Sequence, residues 1–171
     1  MWFAKETPIS TCFFCFGGKT ANDIYLLFEK SLIIFLNSEI FKNDKDVFTF
    51  SMHCASNYPA KKSKSDMDIE LKEDMEDREY LDILNFNLKS LNQLNFDFVF
   101  YIAGVDVHYQ DKLGKLKLTE DGINQRDKTV INNFFSKKIP LCGVLGGGYN
   151  KDFDKLVELH SMLHRNCANL I

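Results

Sequence analysis

The sequence lacks an apolar run long enough to cross a bilayer, which takes about 20 residues with few or no charges. Its most apolar stretch, residues 24–41, is broken by Glu29, Lys30 and Glu39 and reads as buried structure. No secretory leader is expected either, since no basic start precedes a clean apolar run. Nor is there a basic surplus: 21 Lys and Arg stand against 24 Asp and Glu, a net charge of −3. A general nucleic-acid binder would show a basic face, so direct nucleic-acid binding and a membrane anchor are both set aside. Cysteine is sparse and odd in number, five in all, which points to reduced thiols in a cytoplasmic compartment, or a nuclear one in a eukaryote. Cys12 and Cys15 form a C-x-x-C, but no second pair and no His pair follows at finger spacing. A zinc or redox role there is weakly supported. Internal repeats and long linkers are absent as well.

What is present suits one globular domain: 171 residues, 45% apolar and 26% charged. Residues 1–30 crowd Trp2, Phe3, Phe13, Phe14 and Phe16 around Gly17-Gly18 without helical or strand period, and form a poorly matching N-terminal segment. From residue 31 the pattern clears. The runs 31–36 (SLIIFL), 46–51 (DVFTFS), 97–103 (DFVFYIA) and 139–145 (IPLCGVL) predict short strands, continuous in apolar character and so buried on both faces. Residues 38–43 predict one or two helical turns, and the polar stretch 54–76 a solvated loop. Over 77–95, Tyr80, Leu81, Leu84, Leu88, Leu91 and Leu94 fall at helical spacing. A further helix starts near Thr119, which can cap it, with Glu120 and Asp121 in the first turn. A last helix over 151–166 aligns Phe153, Leu156, Val157, His160 and Leu163 on one stripe. Non-alternating strands interleaved with helices predict an α/β fold, a parallel sheet flanked by helices.

In such a sheet ligands bind beyond the carboxyl ends of the strands. Two post-strand loops stand out, AGVDVHYQDKLGKL (103–116) and LGGGYNKD (145–152). The first sets Asp106 at a strand end, where a carboxylate could meet a metal. In the second a glycine run lets the backbone fold tightly and swing the phenol of Tyr149 over the same edge. Plainer readings exist for each. An Asp after a strand is more often a structural or capping group than a ligand. The glycine run could suit a nucleotide phosphate, but the lysine and serine of a P-loop are missing and no acidic ribose partner is placed for it. His160 and His164 lie one helical turn apart without H-E-x-x-H, which makes them packing or surface residues.

These stretches, with LVELHSMLHR (156–165), EIFKNDKDVFTFSMHCASNYPAKKSKSDMDIEL (39–71) and the D-x-E-Y-L at 77–81, resemble the C-terminal half of histone deacetylase superfamily proteins. The bacterial and class IV-like branch is the nearest in pattern, and the likeness runs from 31 to 171 as a partial deacetylase domain. It implies an incomplete arginase/deacetylase-like three-layer fold and zinc-dependent hydrolysis of the amide of an acetylated lysine or small acetylated amine. By position it makes Asp106 a zinc ligand and Tyr149 the catalytic donor to the substrate oxyanion. Gly147 and Gly148 then shape the tyrosine loop, and Tyr58 lines the acyl-lysine channel. Ser51 and the Met52 carbonyl match a structural monovalent-cation site, taken as potassium (K+). In the same likeness the D-V-H at 106–108 is not the ligand pair, which sets His108 aside.

The departures fall on the chemistry. The family's Asp-x-His pair is due between the 31–36 strand and Glu39, and the sequence there reads directly from LN into SEIF. No His-His precedes it, since the first histidine is His53. A catalytic zinc needs about three protein ligands. The expectation is a chain that is truncated, frameshifted or decayed in its upstream half and inactive alone. Either it retains the family reaction in a complete form, or it is a non-catalytic remnant or binding module. In the second case self-association is expected through an uncovered surface that includes Ile33, Ile34 and Phe35.

Overall fold

A computed structural model describes residues 41–59 and 61–170. The expected strand at 31–36, with Ile33, Ile34 and Phe35, lies outside the described residues, as do residues 38–40 of the turn expected at 38–43 and the Cys12–Cys15 motif. Within them run β1 (Phe50–Cys54), β2 (Met67–Leu71), α1 (Asp77–Leu91), β3 (Val99–Ala103), α2 (Glu120–Phe135), β4 (Leu141–Leu145) and α3 (Phe153–Ala168). β1 pairs with β2 in parallel, Phe50 opposite Met67 and Cys54 opposite Leu71. β3 pairs with β4 in parallel, Val99 opposite Leu141 and Ala103 opposite Leu145. The α/β class is therefore correct, with parallel strands and helices packed on them.

Three expectations need correction. The strand predicted at 46–51 runs instead over β1, four residues later at its start. The stretch 54–76 is not a loop throughout, because it contains β2. There Met67, Ile69 and Leu71 turn inward and Asp68 and Glu70 outward, the two-residue period of a strand with one face in water. A strand of five residues between polar runs offers too little apolar text to stand out. The stripe read on the last helix is also rotated: Phe153 is 73% exposed and Val157 53%, whereas Leu159 and Leu163 are buried. Phe153 opens the first turn, beyond the reach of the neighbours that cover the helix centre.

The helices start and stop where side chains dictate. Thr119 accepts a hydrogen bond from the Gly122 amide and caps α2, and its own amide and hydroxyl donate to Asp77 at the start of α1. Asp152 caps α3 by accepting from the Lys155 amide. α2 is the central helix, packed against α1 on one side and α3 on the other while touching β3 and β4. Its buried face carries Ile123, Asp127, Val130, Ile131 and Phe134. Leu118 and Ile123 are wholly buried, and they join Leu71, Leu84, Leu88, Val105 and Leu159 in one apolar cluster. A cluster this continuous fixes the carboxyl ends of β3 and β4 beside each other.

Candidate functional site

Beyond Ala103 the chain runs through Gly104 and the buried Val105 to Asp106. The loop that follows is tied down by its own backbone. The His108 amide donates to the Val105 carbonyl, the Leu118 amide to Val107 and the Tyr109 amide to Leu118. Beyond β4 come Gly146, Gly147, Gly148 and Tyr149. A Cβ on Gly146 would stand 2.7 Å from the Gly104 backbone, so the two strand ends touch main chain to main chain. The Gly147 carbonyl accepts from the amides of Val105 at 2.6 Å and Asp106 at 3.1 Å. A Cβ on Gly147 would fall 2.5 Å from Asp106 Oδ2, and one on Gly148 would press on Val105, Leu156 and His160. Only glycine allows this approach. The aspartate and the glycine–tyrosine run, 40 residues apart in sequence, thus meet at one edge, with Tyr149 half exposed above it.

Burial raises the pKa of the Asp106 carboxyl, and the nearby Asp111 adds to the rise while Arg126 opposes it. Arg126 and Asp127 are both buried beneath the same strand end. Arg126 donates through Nη1 to the Gly104 carbonyl at 2.6 Å and through Nε to Asp127 Oδ1 at 2.9 Å. Tyr101, on β3, donates its hydroxyl to the same Asp127 oxygen at 2.5 Å. Burial works against the arginine charge, but Tyr101, Asp127 and Tyr80 outweigh it and its pKa is raised. Burial is also what pushes the Tyr101 phenol well above its ordinary range. A permanent positive charge therefore sits under the site, anchored on the Gly104 peptide. Sequence reasoning passed over this set. The available signal was an Asp at position 127 on a stripe otherwise made of Ile123, Val130 and Phe134.

The remaining predicted residues lie elsewhere. Ser51 and Met52 are on β1, in the other strand pair, and the Ser51 hydroxyl lies 2.8 Å from His53 Nδ1. Tyr58, on the turn after β1, is 90% exposed. The structure brings Asp106, Gly147, Gly148 and Tyr149 together, and does not join Ser51, Met52 or Tyr58 to them by any hydrogen bond among the described residues.

All four histidines fall among the described residues, which allows the fit to zinc to be tested. His108 is 1% exposed, and its Nε2 lies 3.6 Å from Glu120 Oε1. The His160 ring packs under Gly148, with an unpartnered Nδ1. No group of three or more His, Cys, Asp or Glu side chains could hold a metal among the described residues. These residues do not fit a three-ligand zinc site. Among them, too, no helix is long and apolar enough to cross a membrane.

A parallel strand pair flanked by helices, with these two loops at its carboxyl edge, is an α/β arrangement of the arginase/deacetylase-like kind. The profile of the histone deacetylase domain matches residues 37–162, and the chain belongs to the histone deacetylase family. An uncharacterized protein of Picosynechococcus sp. is 46% identical over 127 residues, covering 74% of this chain and 42% of that one. Histone deacetylase 2 of Arabidopsis thaliana is 32% identical over 120 residues, covering 67% of this chain and 31% of its own length. Among solved structures, the acetylpolyamine aminohydrolase of Burkholderia pseudomallei superposes with a TM-score of 0.62 at 19% identity, over 78% of this chain and 41% of that one. This chain spans less than half the length of each.

Proposed function

We propose that this chain carries the aspartate-and-tyrosine side of a deacetylase site, whose reaction is hydrolysis of the amide of an acetylated lysine or small acetylated amine. One observation supports the reading above the others. The Gly147 carbonyl accepts from the amides of Val105 and Asp106, which holds Asp106 and the Gly147–Tyr149 run at a single sheet edge. In that role Tyr149 donates its phenolic hydrogen to the amide oxygen as charge grows there, which is worth a few kcal/mol when the donor is held in place. In a complete member of the family the carboxylate at the Asp106 position would be one of about three protein ligands to the zinc. The other donors are not among these 171 residues in the family's pattern, since no Asp-x-His precedes His53.

On this reading residues 31–171 form the partial domain, which is inactive by itself. Ser51 and the Met52 carbonyl remain the proposed potassium site, and Tyr58 the proposed channel residue. The non-catalytic alternative is favoured by the same missing histidines and expects self-association. On either reading the sparse cysteines suit a cytoplasmic location, or a nuclear one in a eukaryote. Metal analysis of the purified chain, paired with an acetyl-lysine reporter assay, separates the cases. The expected result is sub-stoichiometric zinc and no turnover. Stoichiometric zinc with turnover abolished in Tyr149→Phe would show a complete enzyme and overturn the inactive reading.

A further inference from the structure

The 104–118 loop contains a second carboxylate that neither motif matching nor the proposed reaction uses. Asp111 is placed by its own backbone, its amide donating to the His108 carbonyl at 2.9 Å. His108 is itself buried and bridged to Leu118, so this turn has a rigid base. The two oxygens of Asp111 then divide their work. Oδ1 accepts from the amides of Leu113 at 2.9 Å and Gly114 at 2.8 Å, closing its own turn. Oδ2 reaches across to the other loop and accepts from the Tyr149 amide at 2.6 Å. The turn closes so tightly over the site that a Cβ on Gly114 would lie 1.5 Å from the Asp106 carbonyl oxygen.

We propose that Asp111 is a positioning residue whose carboxylate clips the Tyr149 peptide to the Asp106 loop and so sets where the Tyr149 phenol stands. A carboxylate accepting from a peptide N–H forms a charge-assisted bond, shorter and stronger than a neutral one. The Gly147 carbonyl ties the glycine run to Asp106 from one side, and Asp111 ties the next peptides back from the other. Tyr149 would otherwise hang on three consecutive glycines, each with wide backbone freedom. The clip removes that freedom at the residue that needs a fixed position. Its catalytic consequence rests on the reading of Tyr149 as the oxyanion donor, whereas the hydrogen bond does not.

The geometry makes Asp111→Asn a selective test. An asparagine offers one acceptor oxygen and one donor NH2. With its oxygen on the Leu113 and Gly114 amides, it turns an NH2 toward the Tyr149 N–H, donor against donor. The turn survives and the clip does not. The measurement is NMR of the full chain with 15N-tyrosine, 15N-glycine and 13C-aspartate labels. In the wild type, a through-hydrogen-bond coupling should link the Tyr149 nitrogen to the Asp111 carboxyl carbon, with the amide proton shifted downfield. In D111N the coupling should vanish and Tyr149 amide exchange should speed up by about tenfold or more, while the Gly114 amide stays protected. A merely structural Asp111 would move both amides together. Absence of the coupling in the wild type, which needs no variant to fold, overturns the proposal. So does a Tyr149 amide unmoved in a folded D111A. None of these readouts requires turnover, so a failed deacetylase assay and a failed clip are distinguishable results.

Discussion

Gly114, Gly147 and His160 show how much of the site is set by single atoms. An alanine methyl at Gly114 has nowhere to go, because the Asp106 carbonyl occupies its place. Gly114→Ala should destabilise the chain by about 1–3 kcal/mol, the scale of an overpacked interior, and chemical denaturation will measure it. His160 offers a test in pH. Burial lowers its pKa in the folded chain, with Arg126 and His164 lowering it further and Asp127 opposing them. Unfolded, the ring titrates near its ordinary value of about 6.5. As pH falls below that point the unfolded state takes up its proton first, so stability is lost from about pH 6.5 downward through the folded pKa. Replacing His160 with Asn should flatten that part of the stability–pH curve, as followed by urea midpoints at pH 7 and pH 5.5. Unchanged curvature would place the lost stability on other groups.

At the scale of elements, β2 shows what a sequence conceals. Met-Asp-Ile-Glu-Leu does alternate, but five residues between a Lys/Ser cluster and an acidic run resemble surface loop until β1 is placed beside them. The helices were easier to read. Thr119 as a cap and the leucine spacing of α1 depend on neighbours within one turn. Thr119 does cap α2, and Leu84, Leu88 and Leu91 are buried, but the helix stops at Leu91 and leaves Leu94 exposed. The stripe on α3 was misjudged because periodicity gives the spacing of a face and not which face the rest of the fold covers. Along β2 the contrast should be measurable. Leu71 is 1% exposed and Glu70 points outward, so Leu71→Ala should cost about 2–5 kcal/mol and Glu70→Ala close to nothing in thermal or urea unfolding. Equal effects at the two positions would contradict the inward–outward assignment.

For the whole molecule, family and α/β class were legible in the ordered motifs, and so was the meeting of the Asp106 and Tyr149 loops at adjacent strand ends. The charged support beneath them was not. Arg126 and Asp127 reveal their role only once α2 is laid under β3, because a helix charge pair is solvated by default and these two are buried. In the proposed function Asp106 and Tyr149 are the chemical centre, with a deficit in the donors around them. Among the described residues no group of three His, Cys, Asp or Glu side chains could form a metal shell around Asp106.

The most direct measurement is a calorimetric zinc titration of the purified chain beside Asp106→Asn. The account predicts weak uptake without a stoichiometric plateau, diminished further in D106N, because one carboxylate is the only donor of the family's pattern in place. A tight one-to-one isotherm in the chain alone, unaltered by D106N, would contradict it.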